Sequence, residues 1–214
     1  MGQHWYDTDG NPQHFLGKDG SATTLRQARV RAKEGNPIYP SVTTIGNIVS
    51  KFQLQQWLME EAAMMAASMA LGTSGVLACD RAWAKTVVAA SRDKTMAKAD
   101  AGTKIHDILE KHIKREFVPI EHKPMCTAVE ELIIEKAGIE TWMDAKSEAR
   151  FCDVEHGFAG MADLHTDNWI IDFKTKDEVD AKTRGWPEQA EQLAAYAHGL
   201  GYPNARLANV FISR

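Results

Sequence analysis

Apolar and polar positions divide the chain into three textures. The first forty residues are rich in Gly, Asn, Asp and Pro, with Pro37 and Pro40 as punctuation and a short basic stretch from Arg26 to Lys33. From Ser41 to about Ala137 the pattern is helical. Ser41 and Thr43 are candidate N-caps for a helix through Ser50. Gln53–Leu71, rich in Ala, Met and Leu, predicts a largely buried helix, and further helices are expected over Leu77–Ser91, Thr95–Arg115 and Lys123–Ala137. Short segments rich in Phe, Ile and Trp, bounded by turn residues, then predict strands over Lys146–Val154, Phe158–His165 and Trp169–Thr175. Pro187–Leu200 reads as a helix and Arg206–Ile212 as a final strand. The order is helix, three strands, helix, strand, with a helical layer added in front. This is a mixed α/β fold of the α+β class, read as a single domain, 1–214, that is mainly helical over 1–100 with its core over 101–214.

Composition narrows the setting. A chain of 214 residues can bury a real core, and 44% apolar with 25% charged residues is ordinary for a globular protein. The net charge of -4 and a pI near 6.1 carry no global basic signature, so any nucleic-acid contact needs a local basic surface. A site that binds cations is itself acidic. The three cysteines, Cys79, Cys126 and Cys152, are far apart and form no CxxC, which supports neither a zinc knuckle nor a four-cysteine iron–sulfur cluster and suits a reducing cytoplasm. Met1 to Gly10 has no basic region followed by an apolar run, and Ala62–Leu71 is about half of the ~20 residues a membrane span needs. A soluble, cytoplasmic protein with no membrane partner is expected.

The chemistry concentrates in Met161–Lys176, MADLHTDNWIIDFKTK. Asp167-Asn168 suits a two-residue hairpin loop, because both types tolerate positive φ. With the turn there, Thr166 faces Trp169, Leu164 faces Ile171 and Asp163 faces Asp172. Side chains alternate along a strand, so Ala162, Leu164, Ile171 and Phe173 share an apolar, core-directed face, and Asp163, Asp172 and Lys174 share the other. Directly opposed carboxylates would sit with Cβ atoms ~4.5–5.5 Å apart and repel. A divalent metal resolves that repulsion, since Mg²⁺ favours one or two carboxylates with water and phosphate oxygens. Lys174 can then bring an ammonium to a phosphate or to the attacking water. A slip of one residue would undo the arrangement.

Two helices supply further candidates. His106 and Glu110 are spaced i,i+4 on one face, with Ile105, Ile108 and Leu109 as an anchoring stripe; His112 is an alternative ligand that falls off the face of His106. Gln192 and Tyr196 form a second i,i+4 pair, able to hydrogen-bond phosphate or orient a catalytic side chain, although the same helix can simply pack through Leu193, Ala194 and Ala197.

In this order the set resembles the PD-(D/E)XK nuclease superfamily, specifically its RecB-like exonuclease branch. The residues that carry it are His106 and Glu110, then Gly157–Asp163, then Ile170–Thr175 with Asp172 and Lys174, then Gln192 to Tyr196. Tyr39–Ile45 is similar to an upstream motif of the mitochondrial genome maintenance exonuclease and its phage relatives. The resemblance covers roughly residues 38 to 212. It implies a restriction-endonuclease-like core and a Mg²⁺- or Mn²⁺-dependent deoxyribonuclease, with two ions as an option, acting on single-stranded DNA or a duplex end in a bacterial or phage-infected cell. Position by position, it implies that Asp163 and Asp172 ligate the metal, helped by the backbone carbonyl of Phe173. Glu110 binds metal directly or through water, and His106 is the extra ligand of the RecB-like branch. Lys174 orients or activates water, while Gln192 and Tyr196 place substrate and support Lys174. Ser41, Thr43 and Thr44 hold a DNA phosphate, with helix capping an equal explanation for one of them. Some relatives carry four cysteines for an iron–sulfur cluster; this chain does not. A homo-oligomer or a recombination-protein partner is compatible with the resemblance. The competing readings are a catalytically inactive DNA-binding protein of the same fold, a metal hydrolase of small phosphate esters, and a helical interaction protein built around Gln53–Leu71.

Overall fold

The structure is a computed structural model that describes residues 3–47, 52–71, 81–138 and 145–214. In chain order its elements are β1 (Trp5–Tyr6), α1 (Leu25–Lys33), β2 (Tyr39–Pro40), α2 (Val42–Gly46), α3 (Phe52–Leu71) and α4 (Arg81–Ile113). They continue with α5 (Lys123–Ala137), β3 (Lys146–Asp153), β4 (Phe158–His165), β5 (Trp169–Lys176), α6 (Pro187–Gly199) and β6 (Arg206–Ser213). The fold is mixed α and β, of the α+β class. The chain divides into two units, Met1–Ile48 with Ile105–Arg214, and Val49–Lys104.

In the first unit a four-stranded sheet runs in the order β3-β4-β5-β6. β3, β4 and β5 are antiparallel neighbours, and β6 lies parallel to β5 along eight paired residues from Trp169↔Arg206 to Lys176↔Ser213. The parallel pair needs a crossover, which α6 supplies. Both sheet faces are covered. Leu164, Ile171, Phe173 and Ile212 pack with Ile108, Leu109 and Ile113 of α4 and with Cys126, Val129 and Ile133 of α5. Phe151, Ala162 and Ile170 pack with Leu193, Tyr196 and Ala197 of α6, and Val42 adjoins them. Ala162 therefore joins the α6 side and not the face shared by Leu164 and Ile171, where strict alternation had put it.

The N-terminal residues hold more structure than their loop-like composition suggests. β1 pairs with β2, and Trp5, Ala28 and Ile38 form a small core of their own. The basic stretch is the helix α1, started by a capping box in which Thr24 accepts from the Gln27 backbone and Gln27 reaches back to Thr24. Ser41 is the N-cap of α2, accepting the Thr44 N–H at 3.0 Å. α2 ends at Gly46 with Asn47 as its C-cap, short of the expected Ser50; residues 48–51 lie outside those described.

In the second unit, α3 is helical where Gln53–Leu71 predicted, but it is not largely buried: Met59 and Met64 are 65% and 63% exposed. Its apolar residues go round the helix instead of along one stripe, so no single partner can cover them. The two helices expected over Leu77–Ser91 and Thr95–Arg115 are one helix, α4, described from Arg81. The polar run Ser91–Lys94 interrupts the apolar pattern without a proline or glycine, and polarity alone does not break a helix. Leu77–Asp80 lie outside the described residues. Lys94 pairs with Glu61 at 2.9 Å within this unit. Among the described residues, no helix is long and apolar enough to cross a membrane.

Candidate functional site

The hairpin turns where expected: Thr166 and Trp169 exchange backbone hydrogen bonds, and Leu164 pairs with Ile171. Neither Asp167 nor Asn168 takes positive φ, however. The Thr166 hydroxyl accepts the N–H groups of Asn168 and Trp169 instead, so a side chain shapes the turn. Pairing between β4 and β5 stops at Leu164↔Ile171. Asp163 and Asp172 are thus not a ladder pair, as the hairpin register implied. β5 keeps its full pairing with β6, and past Leu164 the strands part. The Phe173 N–H donates to the Asp163 Oδ2 at 2.7 Å, a carboxylate standing where a strand partner would be. Asp163 also lacks a ladder partner in β3, because the pairing there skips Glu148.

Asp172 is 4% exposed, on the sheet face that α6 covers. The Lys174 ammonium lies 2.5 Å from its Oδ2 as an ion pair. Gln192 ties the group together: its Nε2 donates to Asp172 Oδ1 at 3.2 Å and to the Tyr196 hydroxyl at 2.6 Å, while its Oε1 accepts from Lys174 at 3.2 Å. Burial, with Asp163 as a neighbouring negative charge, pushes the Asp172 carboxyl up to about 6, against the pull of Lys174. Burial, with the two aspartates nearby, raises the Tyr196 phenol, so it stays protonated.

His106 projects from α4 with Nδ1 3.4 Å from Asp163 Oδ1 and its ring edge-on to Phe173. Burial alone would lower its pKa; the hydrogen bond and charge of Asp163, helped by Asp172, more than offset this and raise it. Glu110 points elsewhere. Its carboxylate meets Lys114 and lies beside that of Glu148, whose pKa rises through burial and through Glu110. Glu148 has φ 49, a left-handed conformation uncommon for this residue type, and nothing in its sequence context signals it. His112 bonds Glu130 of α5 at 2.7 Å, away from the aspartates.

The structure thus brings His106, Asp163, Asp172, Lys174, Gln192 and Tyr196 into one connected set around Phe173, with Glu110 and Glu148 forming a neighbouring pair. The upstream hydroxyls are engaged internally. Ser41 is buried and bonds Thr43 and Thr44; the buried Thr44 is joined to both the N–H and the carbonyl of His4. Thr43 is the exposed one of the three. Ser41 also bridges to Ala159 of β4, which fastens α2 against the sheet.

The donor set suits a hard dication. Two carboxylates stand on parting strands, and the buried Asp172 keeps an elevated pKa although Lys174 pairs with it, so the negative charge there is only partly offset. Comparison with protein-family models, with curated proteins and with solved structures found no match.

Proposed function

We propose that this protein is a Mg²⁺- or Mn²⁺-dependent nuclease that hydrolyses phosphodiester bonds in DNA, built on a restriction-endonuclease-like core. One observation carries the reading: Asp163 and Asp172 come from strands that part between them, with Lys174 and His106 each on one of the two carboxylates. Asp163, Asp172 and the Phe173 carbonyl would hold the ion, with His106 as an added nitrogen ligand. When bound, such an ion polarises phosphoryl oxygens and lowers the pKa of water. The chain's own residues do the positioning. Gln192 fixes both Lys174 and Asp172, and Tyr196 fixes Gln192, so the ammonium is aimed before substrate arrives. Lys174 then stabilises negative charge that develops on the phosphate. Thr43, the exposed one of the three upstream residues, would offer its hydroxyl to a phosphate.

The resemblance to the RecB-like branch alone inclines the reading to an exonuclease. The test is incubation of the purified protein with end-labelled single- and double-stranded DNA in Mg²⁺, Mn²⁺ or EDTA. Metal-dependent release of label, abolished by EDTA and by Asp172→Asn, is expected. DNA that binds but stays intact under every metal would overturn it and leave a DNA-binding protein of the same fold.

A further inference from the structure

A second group of metal-ligating side chains stands apart from the aspartate centre. Asp153 ends β3, His156 sits in the turn to β4, and His198 lies in the last turn of α6. One potential ligand atom from each falls within 4.8 Å of the other two. Asp153 Oδ2 is 2.9 Å from His156 Nδ1 and 3.3 Å from His198 Nε2. Around a tetrahedral ion with bonds of about 2.0–2.1 Å, neighbouring ligand atoms are about 3.3 Å apart. The two distances on the carboxylate are therefore near coordination spacing before any ion arrives.

The rings are held in place. His156 and His198 meet edge to face at 4.9 Å, and Phe158 stacks on His198. The His156 backbone N–H donates to Asp153 Oδ1 at 3.0 Å, which fixes the carboxylate from its other oxygen. Both imidazoles are just over half exposed, so an ion there would keep an open, water-filled position. Hydrogen bonding from the two imidazoles also accounts for the contacts to Oδ2, and that competing explanation sets the test.

We propose that Asp153, His156 and His198 form a binding site for a zinc-type dication that ties the β3–β4 turn to the C-terminal end of α6. Two imidazoles and one carboxylate suit Zn²⁺, whereas Mg²⁺ prefers an all-oxygen shell. The site is independent of the nuclease reading. It has a bearing on the other centre all the same, since α6 carries Gln192 and Tyr196, and His198 is two residues beyond Tyr196. An ion bound at its end would hold α6 against the sheet.

The experiment is a Zn²⁺ titration of the full chain in competition with a chromophoric chelator, with millimolar Mg²⁺ present throughout. Wild type is expected to take up one more equivalent than the His156→Ala/His198→Ala variant. His156→Ala alone changes only an exposed turn, so it leaves the fold intact. Loss of a supporting partner in a metal site weakens binding about 10–100-fold, so losing a direct ligand should cost at least about tenfold. Replacing Zn²⁺ by Co²⁺ should give a visible absorption band that disappears in the same variants. Equal Zn²⁺ uptake and affinity in wild type and both variants, or displacement of the ion by Mg²⁺, would overturn the proposal and leave the three residues as an ion-pair cluster.

Discussion

Asp163 accepts the backbone N–H of Phe173 at 2.7 Å, so a side chain holds β5 at the place where β4 leaves it. The carboxylate has two tasks: it caps a β5 amide that β4 leaves unpaired and it faces the candidate metal position. Asp163→Asn keeps an acceptor for the amide, and Asp163→Ala removes it. The alanine variant should lose about 1–3 kcal/mol in urea unfolding, because a buried N–H is left without a partner, while the asparagine variant loses clearly less. Both should lose metal-dependent cleavage.

The acidity of Asp172 gives a second prediction. Its folded-state pKa of about 6 lies above the ordinary 3.8, so the native protein binds this proton more tightly than the unfolded chain does. The contribution is favourable at low pH and is lost as pH rises through about 6. Without metal, the stability of wild type relative to Asp172→Asn should therefore fall across that interval. Carboxyl-carbon NMR should find the Asp172 midpoint near 6, moving down when Mg²⁺ is added. A midpoint near 3.8 without metal would contradict the burial and charge argument.

Lys174 and Tyr196 should separate by magnitude. Lys174→Ala removes charge stabilisation at the phosphate and should lower kcat by at least about 100-fold, with the fold retained. Tyr196→Phe keeps the ring against Phe151 but removes the oxygen that Gln192 contacts at 2.6 Å. One positioning hydrogen bond is worth about 1 kcal/mol, so kcat should fall by roughly fivefold with KM little changed. Steady-state cleavage of a labelled oligonucleotide checks both.

Gly160 explains how the sheet approaches α6 closely enough for these contacts. A Cβ there would lie 2.8 Å from the Phe151 ring and 2.9 Å from that of Tyr196. Gly160→Ala should cost about 1–3 kcal/mol through overpacking and, by shifting Tyr196, also reduce kcat. Thermal unfolding read beside kcat checks this, and unchanged values for both would show that the rings have room to move.

Much of the first unit was legible in the chain itself. The ends of β4 coincide with the expected Phe158–His165, and α5 with Lys123–Ala137, because each is a short periodic run with turn residues outside it. The i,i+4 spacing of Gln192 and Tyr196 sufficed to put them on one helical face, and they are indeed bonded. Local periodicity determined these features, since it depends only on neighbours in sequence. The tertiary structure decided the rest. No pattern announced that β5 would stay with β6 and part from β4 beyond Leu164, which sets Asp163 on the Phe173 amide instead of opposite Asp172. Nor could spacing show that Glu110 would turn towards Glu148, or that Asp153, His156 and His198 would converge, because residues up to 45 positions apart meet only when sheet and helices pack. Periodicity fixes which face a side chain occupies; what stands opposite that face is settled by long-range pairing and by the burial of both sides of the sheet.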